Sequence, residues 1–597
     1  MKAYTGLIAF YWVKIVLLMY IGFQLQPTHW PGHLLMILTL IGPVMLLFSV
    51  PLFTPDRYRK WVSPALLFLT TFWMYAHLLY YRFYEDFMTL TILLQIGNVG
   101  GLSRSTWELF SPWDLLLFLD IFVVGWVLFK KETFQLPPKK WYLGVASLLT
   151  ITMLAAGLLY KPYVLKENYN RTQFVQTMSL FTYQLFDVGH SIRSPLFKWM
   201  SDPRDAEPMQ AHVKEQEKEM TEWFGEAEGM NVVFIGLESV QNFVLDLEVD
   251  GQEVTPFLNK IKNESFYFSN LYEQTAQGKS SDAEFMIDTG LYPLDGGSVF
   301  VRRPDNAFHG LPEILGNYQS AVFHGNERSF WNRTEMYDTL GYDRFFSERD
   351  YKVTEENSIN YGLEDHHFFE QSIPTLKELD TPYLAKFITL TNHFPFLLHE
   401  EDQTFETDVT SEPVVNRYLS TVHYLDQSVE TFIEKLQEQE MYENTMFILY
   451  GDHYGVSTEY EDGLFELLDQ PETTFSHIKN QRVPVLIHIP GLQGEVFDEI
   501  AGQIDIRATV LHLLGKRSAN YMSFSENLLT REHDAFVTFR NGNYISESTM
   551  YVKGQCLDTE KGTPLSNQAC EKGRSKARSE LQLSDQVIKG DWLRYKE

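Results

Sequence analysis

Thr445-Met446-Phe447-Ile448-Leu449-Tyr450 runs straight into Gly451-Asp452-His453-Tyr454-Gly455. The first six residues form a short, nearly continuous apolar run, the pattern of a strand buried on both faces of a sheet. The glycine-flanked Asp-His pair that follows sets a carboxylate and an imidazole at that strand's carboxyl end, where α/β sheets gather their ligands. Oxygen ligands with one imidazole and no thiolate suit Mn²⁺, Mg²⁺ or Zn²⁺, with a lean toward the harder cations.

The same arrangement recurs upstream. Asn231-Val232-Val233-Phe234-Ile235-Gly236-Leu237 is a second strand, and Glu238 stands at its end. Further strands are expected at 319–323, 383–390 and 484–489. Between them lie amphipathic stretches such as 413–439, with Leu419, Val422, Leu425, Val429, Phe432 and Leu436 three or four residues apart. That spacing is the apolar face of a helix. Alternating strands and helices predict an α/β domain over 231–597, its sheet covered on both sides.

Gly278-Lys279-Ser280-Ser281-Asp282 adds a hydroxyl on a polar loop able to approach an anion. It is not a nucleotide P-loop, which needs a glycine where Glu273 stands. Ser280 is therefore a candidate nucleophile that a metal could activate. Phosphoryl or sulfuryl transfer follows from a hydroxyl beside a metal pair. His324, Trp331 and Arg333 lie just past the 319–323 strand, and Arg333 can hold an anion bidentately. His393, in Thr391-Asn392-His393 after the 383–390 strand, is a candidate acid or base.

The first 160 residues are of another kind. Apolar stretches of roughly spanning length occupy 6–23, 34–53, 62–79, 113–129 and 141–160. They predict five transmembrane helices, because a helix satisfies its own backbone in lipid. Lys14, Asp114 and Asp120 interrupt them. With the amino terminus inside, cytoplasmic segments hold Lys2, Arg57, Arg59, Lys60, Lys130, Lys131, Lys139 and Lys140. The opposite loops hold Arg82 and Arg104. The positive-inside rule then puts everything after residue 160 outside the cytoplasm. Residues 161–230 are expected to form amphipathic juxtamembrane helices and an acidic, helix-prone connector. The piece 87–96 could be re-entrant or a plain surface loop.

The 597 residues carry 49 Lys+Arg against 78 Asp+Glu, a net charge of −29, which argues against a nucleic-acid partner. The two cysteines, Cys556 and Cys570, fall in the part expected outside the cytosol, where a local disulfide is plausible.

Taken jointly, Glu238 after its strand, Gln277-Gly278-Lys279-Ser280-Ser281-Asp282-Ala283-Glu284-Phe285, Phe330-Trp331-Asn332-Arg333, Thr391-Asn392-His393, Gly451-Asp452-His453-Tyr454-Gly455 and Arg540-Asn541-Gly542 resemble the lipoteichoic acid synthase family. The resemblance covers essentially the whole chain. It implies a five-helix membrane domain and an extracellular sulfatase/alkaline phosphatase-like domain. It also implies a Mn²⁺-dependent, Gram-positive cell-membrane enzyme that cleaves phosphatidylglycerol and polymerises glycerol phosphate on a glycolipid. By that resemblance Glu238, Asp452, His453 and Ser280 would hold the metal, with Ser280 the nucleophile. His324, Trp331, Arg333, His393 and Ser457 would surround glycerol phosphate.

The pattern departs at the nucleophile, where the synthases carry threonine, and no Ala-x-Ala cleavage site stands in 161–230. A primase that adds only the first glycerol phosphate shares these motifs, and a phosphoethanolamine transferase shares the fold class. A formylglycine sulfatase would need Cys/Ser-x-Pro-x-Arg, and Ser280 is followed by Ser281, Asp282, Ala283 and Glu284.

Overall fold

A computed structural model describes residues 2–92, 107–130, 136–167, 169–202, 220–405, 407–517 and 521–595. The chain divides into two compact units, one of residues 1–90 and 106–193, the other of 91–105 and 194–597.

Among the described residues of the first unit, four helices are long and apolar enough to cross a bilayer: Tyr4–Gly22, Trp30–Phe53, Asp56–Tyr84 and Lys139–Tyr160. The stretch expected as a further span, 113–129, begins as a 3₁₀ turn, Pro112–Phe118, and becomes α-helical only over Leu119–Lys130. Its α-helical part, 12 described residues, continues directly from that turn, and the residues just after Lys130 lie outside the described ones. Asp114 explains the altered start. It caps the turn by accepting from Ser111 N–H at 3.0 Å and takes a fork of bonds from Arg82 at 2.8 and 2.9 Å. The other polar interruptions pair as well. Lys14 donates to Asp120 at 2.7 Å and to Thr71 at 2.6 Å, so its charge is met inside the unit.

Helices Arg171–Met178 and Leu180–Met200 follow the last span. One face buries Phe174, Val175, Met178 and Tyr183 in the core that holds Tyr11, Phe23 and Leu78, whereas Leu185, Val188 and Ile192 stay exposed. These helices thus share the core of the spans. Residues 93–106, which include part of the 87–96 piece, and 203–219 lie outside the described residues. The helix expected up to residue 230 does not form over 221–229, which are turns. Gly225 and Gly229 both sit at φ +81°, in the left-handed region that breaks a helix. Trp223 instead docks edge-on against Phe266 and Phe497 of the second unit.

The second unit is built on an eight-stranded sheet. In chain order its strands are β1 (Asn231–Leu237), β2 (Phe266–Phe268), β3 (Gln319–His324), β4 (Arg344–Phe346), β5 (Tyr383–Ile388), β6 (Thr445–Gly451), β7 (Val485–His488) and β8 (Glu495–Phe497). The spatial order is β8-β2-β7-β6-β1-β5-β3-β4. Strands β6, β1, β5, β3 and β4 are mutually parallel, and β7 turns antiparallel against β6. The register aligns Tyr450 with Gly236, Gly236 with Ile388, and Ile388 with His324. Four carboxyl ends therefore finish level with one another, and the residues just beyond them share one rim.

Both faces of the sheet are covered. Helix Pro413–Glu438 buries Leu419, Val422, Leu425, Val429, Phe432 and Leu436, and the Phe432 ring lies 4.9 Å from Phe387 of β5. On the opposite face Lys386 of β5, fully buried, meets the equally buried Asp288 of helix Ser280–Thr289 at 2.5 Å. That pair fixes the helix that begins with Ser280 to the sheet.

Beyond the main sheet, a four-stranded antiparallel sheet packs on helix Glu571–Gly590. A disulfide joins Cys556 to Cys570 across 14 residues, ahead of that helix. Cross-linking so short a loop is worth about 3 kcal/mol through the unfolded chain. Cys570→Ser should therefore speed hydrogen exchange in 544–590 while leaving exchange in β1 and β6 unchanged.

Candidate active site

The rim positions four groups within reach of one another. Backbone bonds hold Glu238 and Asp452 in place: Asn392 Nδ2 donates to the Glu238 carbonyl at 2.8 Å, and Ser239 N–H donates to Asp452 Oδ1 at 2.7 Å. Ser239 carries φ +59°, which turns the chain sharply after β1. Its hydroxyl donates to Glu238 Oε1 at 2.7 Å. Gln503 Nε2 bridges the carbonyls of Gly451 and Asp452 at 2.7 and 2.8 Å, securing the end of β6.

His453 is oriented by its neighbour. Its Nδ1 lies 2.8 Å from the Tyr454 carbonyl, so Nδ1–H donates there and Nε2 turns a lone pair inward. That Nε2 sits 3.5 Å from Glu238 Oε1 and 3.6 Å from Asp452 Oδ2. Ser280 closes the group, its Oγ 3.2 Å from Glu238 Oε2 and 3.4 Å from His453 Nε2.

The loop before Ser280 is folded by the helix's own first turn. Asp282 Oδ2 accepts from the N–H groups of Ala276 and Gly278, each at 2.9 Å, and Ser281 Oγ donates to the Gly278 carbonyl at 2.7 Å. A Cβ on Gly278 would lie 2.2 Å from Asp282 Oδ1, so only glycine fits there. The polar run thus forms a loop closed by a helix start, and Ser280 is the first helical residue.

Glu238, Asp452 and His453 each offer a ligand atom within 4.8 Å of the other two, and all three are buried. Burial and the facing Asp452 carboxylate hold the Glu238 pKa well above its ordinary value. Two buried carboxylates turned toward one imidazole lone pair are the donor set of a divalent cation, whose charge would relieve their repulsion. The residues fit the metal. Glu238→Gln, which keeps the shape and removes the charge, should weaken Mn²⁺ binding by ~100-fold or more in calorimetric titration, since even outer-shell losses cost 10–100-fold.

A second cluster lies farther along the rim. His324 Nδ1 lies 3.0 Å from the Ile388 carbonyl, leaving Nε2 to accept from Arg333 NH1 at 3.3 Å. Burial and the Arg333 charge hold His324 well below its ordinary pKa, so it is a neutral partner. Arg333 also donates to Glu284 from NH2 at 2.7 Å and from Nε at 3.3 Å, and Tyr337 bonds the other Glu284 oxygen. Trp331, buried at φ +58°, forms the tight turn directly before Arg333. His393 Nδ1 lies 3.0 Å from the Phe394 carbonyl, and burial pushes its pKa down to about 4. The charges of His453, Asp452 and Arg333 also act on it. Ser457 is buried in the loop that continues from Gly455.

The structure thus joins Glu238, Ser280, Asp452 and His453 directly, and joins His324 to Arg333. Sequence reading passed over Glu284 as a functional residue. Its signal was available, because position 284 lies four residues after Ser280 and so on the same helix face.

An α/β unit with this rim, carried on a chain with apolar helices of spanning length, is a membrane protein of the sulfatase and alkaline phosphatase type. Residues 230–516 match the sulfatase family, and residues 1–198 match the lipoteichoic acid synthase N-terminal domain. Lipoteichoic acid synthase 2 of Bacillus subtilis (strain 168) is 36% identical over 598 residues, covering 98% of this chain and 92% of that protein. Lipoteichoic acid synthase of Staphylococcus aureus (strain USA300) is 33% identical over 592 residues, covering 96% and 92%. The crystal structure of the lipoteichoic acid synthase LtaP from Listeria monocytogenes superposes with a TM-score of 0.58 at 25% identity, covering 63% of this chain and 98% of that one. The chain belongs to the lipoteichoic acid synthase family.

Proposed function

We propose that this chain transfers glycerol phosphate from phosphatidylglycerol to the terminal hydroxyl of a growing chain on a glycolipid, with Ser280 as the covalent carrier. The observation that carries the reading is the Ser280 hydroxyl, 3.2 Å from Glu238 and 3.4 Å from His453 at the start of a helix. The curated relatives named as lipoteichoic acid synthases support the substrate class.

Ser280 Oγ bonds to the headgroup phosphorus, the phosphorus–oxygen bond to diacylglycerol breaks, and the serine proton ends on the departing diacylglycerol oxygen. The acceptor hydroxyl then attacks the same phosphorus, the bond to Oγ breaks, and the acceptor's proton ends on Ser280. Glu238, Asp452, His453 and Ser280 would hold a divalent cation, Mn²⁺ with Mg²⁺ the second choice, which when bound would supply charge to acidify a hydroxyl and screen phosphoryl oxygens. Arg333, set by Glu284 and His324, would offer its remaining donors to the phosphoryl oxygens. His393 is neutral at pH 7 and presents Nε2 as an acceptor, so it suits taking a proton from the incoming hydroxyl.

The excess of Lys and Arg in the segments flanking the spans supports a catalytic unit outside the cell, beside a donor lipid that never leaves the bilayer. Headgroup-labelled phosphatidylglycerol, Mn²⁺ and the full chain in liposomes test the reading. Diacylglycerol release coupled to lengthening products supports it. Products that stop at one glycerol phosphate convert it to a primase, and an uncleaved lipid rejects it.

A further inference from the structure

The short hairpin 358–363 is wedged between the two loops that carry the anion-holding and proton-accepting groups. Its strands pair Ser358 with Leu363 and Ile359 with Gly362. On one side Leu363 N–H donates to the Gly325 carbonyl at 3.0 Å, one residue beyond His324. Gly362 passes so close that a Cβ there would lie 2.3 Å from the Gly325 carbonyl oxygen. On the other side Asp365, two residues past the hairpin, accepts from the backbone N–H groups of Leu390 at 2.7 Å and Thr391 at 3.0 Å. Its own N–H donates to Thr391 Oγ1 at 2.8 Å. The hairpin is therefore bolted to the segment that leads into His393.

Its tip reaches the imidazole itself. The Tyr361 ring, 8% exposed, lies 4.3 Å from the His393 ring at an interplanar angle of 50°, and the Phe330 ring lies 6.4 Å from it at 65°. Two restraints thus act on His393. The Phe394 carbonyl selects the tautomer through Nδ1. The Tyr361 face limits rotation of the ring plane, which decides where Nε2 aims. Rotation of the imidazole about its own bonds would change that direction and strain the Nδ1 bond to Phe394, and the packed Tyr361 ring adds a second restraint against it.

We propose that Tyr361 is a positioning residue, which through His393 aims Nε2 at the acceptor hydroxyl during the transfer half of the reaction. The proposal rests on the covalent transfer reading above. In that half the acceptor oxygen bonds to phosphorus, the phosphorus–Oγ bond breaks, and the hydroxyl proton passes by way of His393 Nε2 to Ser280 Oγ. Donor cleavage uses the Ser280 group directly, so it should be largely indifferent to the tilt of His393.

The test compares the full chain with Tyr361→Phe, Tyr361→Ala and Gly362→Ala in phosphatidylglycerol liposomes with Mn²⁺. Rapid quench reads the first burst of diacylglycerol, the Ser280 adduct by peptide mass, and steady-state chain growth. Tyr361→Ala should keep the burst, lose chain growth by ~10–100-fold, as expected for an ångström-scale misplacement of a reacting group, and accumulate the adduct. Gly362→Ala, which displaces the hairpin without touching the ring, should shift the balance the same way. Tyr361→Phe keeps the ring and should stay much nearer the parent than Tyr361→Ala in chain growth. Equal slowing of burst and growth in Tyr361→Ala, no loss at all, or Tyr361→Phe as poor as Tyr361→Ala would each overturn the proposal. A parent chain that forms no adduct overturns the transfer reading and this proposal together; a parent adduct with an unaltered balance in Tyr361→Ala overturns the proposal alone.

Discussion

Ser280→Ala is expected to cut diacylglycerol release from phosphatidylglycerol by roughly 10⁴- to 10⁶-fold, the range seen when a covalent nucleophile is deleted. The fold should not suffer. Alanine is the best helix former, and position 280 opens a helix whose first turn is closed by Asp282 and Ser281, not by Ser280. The Ser280 hydroxyl bonds only toward Glu238 and His453 among the contacts that define the site. Its loss leaves Glu238, Asp452 and His453 still gathered. The variant should therefore still bind Mn²⁺ through these three in calorimetric titration, more weakly for want of one hydroxyl ligand, while it loses turnover. Turnover within tenfold of the parent would remove Ser280 from the mechanism.

Glu284→Gln should have the next largest effect, and on stability as well as activity. Arg333 and Glu284 are each 2% exposed and meet at 2.7 Å. Neutralising Glu284 leaves the Arg333 charge buried with a neutral His324 for company. Breaking one side of such a pair costs about 3–5 kcal/mol, because the remaining charge has already lost its water. Hydrogen exchange on the full chain should show the loss in helices Ser280–Thr289 and Arg333–Leu340, which the pair connects across 49 residues of sequence. Substrate affinity should fall with it, since Arg333 loses the fork that orients its remaining donors. Unchanged exchange in both helices would show that the pair does not hold them.

The parts of this fold that the sequence made legible are those governed by local pattern. β1 runs as expected over 231–237, and the long helix ends at Glu438, one residue short of expectation. β1 is carried by a continuous apolar run buried on both faces, and the helix by apolar residues spaced three and four apart. The strand expected over 383–390 stops at Ile388 instead, because Thr389 turns its hydroxyl onto the Gly236 carbonyl at 2.8 Å. The stretch 113–129 looked like its neighbours in hydropathy. Its first turn is tightened by Asp114, whose partner Arg82 is 32 residues away and unreadable from local composition.

The site follows the same rule. Glu238, Asp452 and His453 were visible because each terminates an apolar strand, and parallel register brings such ends level. Ser280 was visible as a hydroxyl in a glycine-led polar run. Tyr361 was not, and for Glu284 only its place was, since what makes both matter is a contact with His393 or Arg333 supplied by a distant strand end. Local spacing placed Glu284 beside Ser280 on one helix face, yet nothing local says which cation it meets. The hairpin 358–363 has two-residue strands, too short for any periodic signal.

The central claim is that glycerol phosphate rides on Ser280. Rapid quench of the full chain with headgroup-labelled phosphatidylglycerol and Mn²⁺, followed by peptide mapping, measures it directly. The account predicts label on the peptide that contains Ser280, formed as fast as diacylglycerol is released and lost when an acceptor is added. Diacylglycerol release with no label on the protein, or label on any other residue, would contradict it.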